Sequence, residues 1–181
     1  MARLLACVLA FLCAGFIQVD ARACVFKDAS TGKTYDFTQL INPAGYYMFK
    51  QQIWEIGGFS LDSLVADTQV NATFYVQVCQ NILTPPPTCK DVGAIYSITA
   101  DGTCTSWGDA NVSVFVPNPY KDGVHLKMYH GSTIDHLSNN AASIYFVCNQ
   151  GNRAGAEAPT FEHVKAAINQ AHFKFFTHLA C

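Results

Sequence analysis

The residues with the widest chemical repertoire in this chain are its six histidines. His163, His172 and His178 lie close together in sequence, and an imidazole can ligate a metal or move a proton. A metal site, however, needs ligands at a recognisable spacing, and no such pattern occurs. His172 and His178 are an even number of residues apart in a strand-like run that also carries Lys174, which predicts a solvated face. Ser132, Asp135 and His136 have the residue types of a hydrolytic set, but a nucleophile elbow of Gly-x-Ser-x-Gly type is absent. Asp101, Asp109 and Asn111 could offer oxygen ligands to calcium, yet the loop order with its closing glutamate is missing. The expectation is therefore a protein that is not an enzyme, with no cofactor and no metal.

Cysteine carries the next chemistry. Arg3 opens a positive region, residues 4–17 are an apolar run, and Ala21-Arg22-Ala23 has the small-x-small form of a cleavage site. This reads as a secretory signal peptide over residues 1–23, with an uncleaved anchor as the alternative. The apolar run is shorter than the roughly 20 residues a spanning helix requires. The remaining domain, 24–181, has 158 residues and a net charge of -3. Its lack of a basic cluster argues against a nucleic-acid partner. Cys7 and Cys13 leave with the signal, so six cysteines remain: Cys24, Cys79, Cys89, Cys104, Cys148 and Cys181. An even count in a secreted chain predicts three disulfides, whose connectivity the spacing alone leaves open. Asn71-Ala-Thr73 and Asn111-Val-Ser113 are glycosylation sequons, which would place both asparagines at the surface.

The elements that must position these residues read as short strands. Half of the chain is hydrophobic and only 13% is charged, as in a globular domain. Residues 34–40 alternate after a turn at Ser30 to Gly32, and Asn42-Pro43-Ala44-Gly45 is a second turn signal. A strand is expected over 46–54 and a loop over 56–67. In the following run Phe74, Val76 and Val78 share one face while Tyr75, Gln77 and Cys79 share the other. Pro85, Pro86 and Pro87 exclude helix and central strand, so residues 83–90 form an exposed connection.

Residues 92–99 resume as a strand that stops at Asp101-Gly102, a hairpin signal. A short strand is expected over 112–116. Over 124–130, Val124, Leu126 and Met128 should point inward, and His125, Lys127 and Tyr129 outward. Residues 144–147 are apolar on both faces, as in a covered central strand. Phe161, Val164 and Ile168 fall at helical spacing, which predicts one short helix within 160–171. Two aromatic segments each end on a cysteine, Cys148 and Cys181, and read as strands stapled near their ends. Trp54 and Trp107 suit core packing as well as sugar stacking. Many short strands between turns indicate an all-β sandwich or flattened barrel.

Five segments in register carry a family likeness. TyrAspPheThrGlnLeu follows the first cysteine, PheTyrValGlnValCys ends at Cys79, and LeuLysMetTyrHisGly spans 126–131. SerIleTyrPheValCys ends at Cys148, and PheLysPhePheThrHisLeuAlaCys ends at Cys181. In order and spacing the chain resembles a mannose 6-phosphate receptor homology (MRH) domain. The resemblance implies a flattened β-barrel or sandwich with disulfides Cys148 to Cys181, Cys24 to Cys79 and Cys89 to Cys104. A further disulfide usual in the family has lost both of its cysteines here, at 134–138 and 168–171.

The family's mannose site is a glutamine, an arginine, a glutamate and a tyrosine around the sugar hydroxyls. An arginine fork and a carboxylate supply strong charge-assisted bonds to such a ligand. Carried onto this sequence, these positions fall at Tyr96, near Asn140, at Glu162, and at Ala171 or His172. At most the glutamate is kept, so the resemblance implies a degenerate mannose site. That points to a luminal or secreted binding module with a protein partner, or with a carrier or accessory role in secretory or endolysosomal traffic. The alternative is a lectin that binds a glycoprotein glycan through an altered pocket of Tyr96, Asn140, Glu162 and His172.

Overall fold

The computed structural model describes residues 24–55, 59–60, 63–64, 68–118, 123–135, 138–149, 160–162 and 169–181. The proposed signal segment therefore lies outside the described residues. Fourteen strands are present among the described residues: β1 (Val25–Lys27), β2 (Thr34–Asp36), β3 (Tyr47–Glu55), β4 (Phe59–Ser60), β5 (Ser63–Leu64), β6 (Thr68–Val76), β7 (Ile95–Thr99), β8 (Cys104–Pro117), β9 (Gly123–Tyr129), β10 (Thr133–Asp135), β11 (Ser138–Asn139), β12 (Ala141–Cys148), β13 (Thr160–Glu162) and β14 (Gln170–Thr177). Eight of them form one sheet in the order β13-β14-β12-β9-β8-β7-β6-β3. All neighbours in it are antiparallel except β12 and β14, which run parallel from Ala141 beside Gln170 to Cys148 beside Thr177.

This sheet folds back on itself. Five strand spacings separate β14 from β6, about 24 Å in a flat sheet. Yet the rings of Phe74 on β6 and Phe173 on β14 lie 5.6 Å apart, edge to face. Phe49–Phe173 and Tyr47–Phe175 repeat the contact at 6.2 and 5.4 Å. The result is a flattened half-barrel of two leaves. One holds β3, β6, β7 and the start of β8, and the other holds the rest of β8 with β9, β12, β14 and β13. The inward set alternates as a half-buried strand requires: Phe74, Val76, Val124, Leu126, Met128, Ile144, Phe146, Phe173 and Phe175 are all fully buried.

The bend between leaves lies in β8, whose register shifts between Asp109 and Ser113. Such a bulge frees backbone groups that need partners. Asn81 supplies one, as its Oδ1 accepts from the Ala110 N–H at 2.8 Å. Asp109 supplies another, accepting from the Asn111 N–H at 2.8 Å and from the Asn81 amide at 2.7 Å.

One open end is plugged by the β1–β2 hairpin and a short 3-10 helix at Thr38–Leu40. Phe37, fully buried, stacks on Phe146 with centroids 4.1 Å apart. Gln77 anchors the neighbouring turn. Its Oε1 accepts from the Asn42 N–H, and its amide nitrogen donates to the carbonyls of Asn42 and Gly45, at 2.8–3.0 Å. The disulfides join Cys24 to Cys79, Cys89 to Cys104 and Cys148 to Cys181, the pairing the resemblance implies.

Several expectations need correction. Residues 160–162 and 170–177 are strand, so the helix expected within 160–171 is absent from both ends; residues 163–168 lie outside the described residues. The short strand expected at 112–116 is the end of the 14-residue β8. Within the expected loop at 56–67, β4 and β5 pair as a small hairpin. Gln77 and Cys79, expected on an outer face, are buried, because the chain leaves the sheet after Val76 to reach its disulfide.

His125, expected to face outward to solvent, is instead only 6% exposed. It does lie on the outer side of the sheet, but the Tyr145 ring packs edge-on against it, with centroids 4.9 Å apart.

Candidate functional site

The four polar positions inferred for a ligand site fall into two groups. Tyr96 and Asn140 meet around Ser106. Tyr96 on β7 is the register partner of Ser106 on β8. The Asn140 side-chain amide donates to the Ser106 carbonyl at 3.4 Å, and the Ser132 N–H donates to the same oxygen at 2.8 Å. Gly131 lies against this junction, where a Cβ would collide with the Ser106 carbonyl oxygen, so no larger residue fits.

Both members of this group are committed to the scaffold. Tyr96 is 1% exposed and its hydroxyl donates to the Asp91 carbonyl at 2.6 Å. Burial, and then the Asp91 carboxylate nearby, raise its pKa above the ordinary phenol value. Asn140 is 5% exposed. Ser132 completes the knot, its hydroxyl donating to Asp91 Oδ2 at 3.0 Å and accepting from the Ser106 N–H at 2.9 Å. Ser132 is thus tied to Asp91; His136 lies outside the described residues.

Glu162 and His172 form the second group, as register partners on β13 and β14. Glu162 is placed by its backbone alone. The His172 ring stacks near Tyr145, with centroids 5.8 Å apart and the tyrosine hydroxyl 3.2 Å from Nδ1. His172 pairs with Ser143, three residues along β12 from Asn140. That separation is about 10 Å in extended chain. The two groups therefore stand at different places on the sheet.

Sequence reasoning missed His125. Its Nδ1 is buried without a hydrogen-bond partner. Burial first, then the charges of Lys127 and His172, hold its pKa down at about 4. Alternation places the ring on the outer side correctly, but nothing in a single strand shows that a tyrosine from the neighbouring β12 will cover it. Trp107 serves packing, since it lies against the main core and its indole N–H donates to Ser97 Oγ at 2.8 Å. Among the described residues no group of three or more His, Cys, Asp or Glu could hold a metal ion, and no helix is long and apolar enough to cross a membrane. Asp101, considered for calcium, accepts instead from Thr99 and Thr103, which lower its pKa to about 2.

Two surface features remain. Between β6 and β7, the Ile82 N–H donates to the Gly93 carbonyl at 2.9 Å and closes the base of the loop that carries Leu83 and Val92. Leu83 is 89% exposed and Val92 65% exposed. Their loop is held by the Cys89–Cys104 disulfide and stiffened by Pro85 to Pro87. On the outer face of the first leaf lies a groove of about 670 Å³, lined by Lys50, Gln52, Asn71, Thr73, Tyr75 and Ile98 among others.

No protein-family profile and no curated protein matches the chain. Solved structures do. Domain 11 of the chicken IGF2R aligns with a TM-score of 0.58 at 18% identity, covering 91% of this chain and 93% of that one. Domain 11 of the echidna mannose 6-phosphate/IGF2R receptor aligns with a TM-score of 0.51 at 18% identity, covering 88% and 95%. The curled sheet, the three disulfides and these alignments together establish that the chain has the fold of a mannose 6-phosphate receptor domain.

Proposed function

We propose that residues 24–181 form a non-enzymatic binding module of mannose 6-phosphate receptor homology type, released from a signal peptide at 1–23. It acts in the lumen of the secretory or endolysosomal pathway, or outside the cell, as an accessory protein that binds a protein partner. The observation that carries this reading is the pair Leu83 and Val92, large apolar side chains 89% and 65% exposed on a loop that a disulfide and three prolines keep rigid. Holding apolar surface in water is unfavourable, and a rigid apolar knuckle loses little entropy when it is buried by a partner.

Two further observations support it. Tyr96 and Asn140, at positions that would face a sugar, are buried and bonded to backbone carbonyls, which favours a degenerate mannose site. Three disulfides form and persist in an oxidising compartment. The test is affinity capture from secretory-compartment extracts with the wild type and a Leu83→Ser/Val92→Ser variant. Specific proteins captured by the first and lost from the second are expected. Capture of nothing above background, or of the same proteins by both, would sink the reading.

The lectin alternative has one observation in its favour, the juxtaposition of the half-buried His172 and the Tyr145 hydroxyl beside the strand of Glu162. A glycan array with wild type and a Glu162→Gln variant separates the two readings, since only a lectin gives selective, variant-sensitive binding.

A further inference from the structure

Asn71 sits in the middle of β6, exposed, on the same outer face as Thr73 and Tyr75. Sequence alternation puts the asparagine and the threonine of the sequon side by side on that face. Gln52 on β3 is the register partner of Asn71, Lys50 that of Thr73, and Ile98 on β7 flanks Thr73 from the other side. These side chains are the walls of the 670 Å³ groove. Its far end is apolar, because Tyr75 and Ile98 pack on the small cluster of Tyr96, Ile82 and Cys89. The Tyr75 ring is fixed there edge-on to Tyr46, with centroids 5.1 Å apart.

Such a groove suits one occupant above others. An N-acetylglucosamine unit has a C–H face that packs on an aromatic or aliphatic side chain, and hydroxyl and acetamide groups that bond to amides and an ammonium. The volume lies within the ~300–1,000 Å³ common for small-ligand sites. We propose that Asn71 carries an N-linked glycan whose first sugars lie down in this groove against Gln52, Lys50, Tyr75 and Ile98, instead of projecting into solvent.

In the transfer, the Asn71 side-chain nitrogen bonds to C1 of the reducing-end sugar of a lipid diphosphate-linked oligosaccharide. The C1–oxygen bond to the diphosphate breaks, the lipid diphosphate leaves, and the amide gives up one proton. Asn71 accepts the glycan while the chain is still extended; folding then lays the sugar across the strand's neighbours.

The second sequon supplies an internal contrast. Asn111 is exposed in the irregular part of β8, where Ser113 Oγ donates to the Ala110 carbonyl at 2.6 Å. It is not among the residues that line the groove. A glycan there projects freely.

The proposal rests on the secretory reading only for delivery of the sugar. The test uses the full chain secreted from cultured animal cells, with site occupancy read by peptide mass spectrometry. The folded protein is then treated with peptide:N-glycosidase, and release of each glycan is timed. Asn71 is expected to be occupied and released slowly. Tyr75→Ala should accelerate release at Asn71 about fivefold to tenfold, the factor that corresponds to ~1–1.4 kcal/mol of lost sugar contact. Lys50→Ala, which leaves the aromatic cluster untouched, should accelerate it less.

A secreted, disulfide-bonded protein with Asn71 unmodified would overturn the proposal and leave the secretory reading standing. A chain retained in the cytosol with reduced cysteines would overturn both. An occupied Asn71 whose release is unchanged in both variants would place the sugar outside the groove and overturn the proposal.

Discussion

The two leaves share one sheet and one alternation, yet their outer faces are finished differently. On β3, β6 and β7 the outer side chains around Asn71 frame an open groove, polar at Lys50 and Gln52 and apolar at Tyr75 and Ile98. On β9, β12 and β14 the corresponding positions hold His125, Tyr145 and His172, a row of rings across three strands, with His125 buried. Alternation decides which side of a strand a residue takes, but not whether that side is wet. The second leaf is finished at a cost, because a buried imidazole nitrogen without a partner forfeits its hydration.

The largest expected effect tests what the leaves have in common. Phe173 touches both Phe49 and Phe74 across the core, so Phe173→Ala should destabilise the protein by about 3–5 kcal/mol in denaturant unfolding. A loss below about 1 kcal/mol would mean that the leaves are not joined there.

Replacing Cys148 and Cys181 together by alanine should cost about 3–4 kcal/mol, since the bridge closes a separation of 33 residues. The loss should be concentrated in the second leaf, seen as faster amide exchange on β12 and β14 than on β6.

His125 gives a smaller effect with a pH signature. Its folded pKa of about 4 lies below the ordinary 6.5, so the unfolded chain binds the extra proton more readily. Stability is therefore full above pH 6.5 and falls as pH drops from 6.5 toward 4. The loss should be roughly 1–2 kcal/mol, allowing for screening. His125→Phe should flatten that slope in a pH series of unfolding curves; an unchanged slope would place the titrating group elsewhere. No equivalent pH dependence is expected from the outer face of the first leaf.

The smallest effect concerns the knot between the leaves. Tyr96→Phe removes the bond to the Asp91 carbonyl and should cost about 1 kcal/mol. It should leave the capture of protein partners unchanged, whereas a Tyr96 that served a ligand would alter it.

Much of this fold was legible in the chain. The alternation at 124–128 and the apolar run at 144–147 became β9 and the covered β12. The Asp101-Gly102 signal became a turn in which Gly102 takes a φ of +85°. The resemblance gave the disulfides and the architecture. What could not be read depends on pairing between distant strands. Thr160–Glu162 stands at the start of a run with helical spacing, but it finds its hydrogen bonds on β14. Within residues 104–117 only 112–116 read as strand because the bulge interrupts the alternation, although Asn81 and Asp109 stitch the interruption together. Of the site, sequence supplied positions without surroundings. Only the packed structure distinguishes a Tyr96 engaged by a backbone carbonyl from a tyrosine open to a ligand.

The parallel pairing of β12 and β14 has a consequence for how the molecule assembles. Adjacent antiparallel strands can zip up from a turn, whereas the parallel pairing of residues 141–148 with 170–177 needs a crossover between them. Contacts of that kind incur loop-closure entropy before they return any stabilisation, which slows their formation. The leaf built on β3, β6 and β7 should therefore be ordered first, and docking of β14 beside β12, with β13 on its outer edge, should be the late step that seals the core. Until then the inner faces of Phe49, Phe74 and Phe146 stay open, so the chain is most prone to aggregate in the interval before its C-terminal strand arrives.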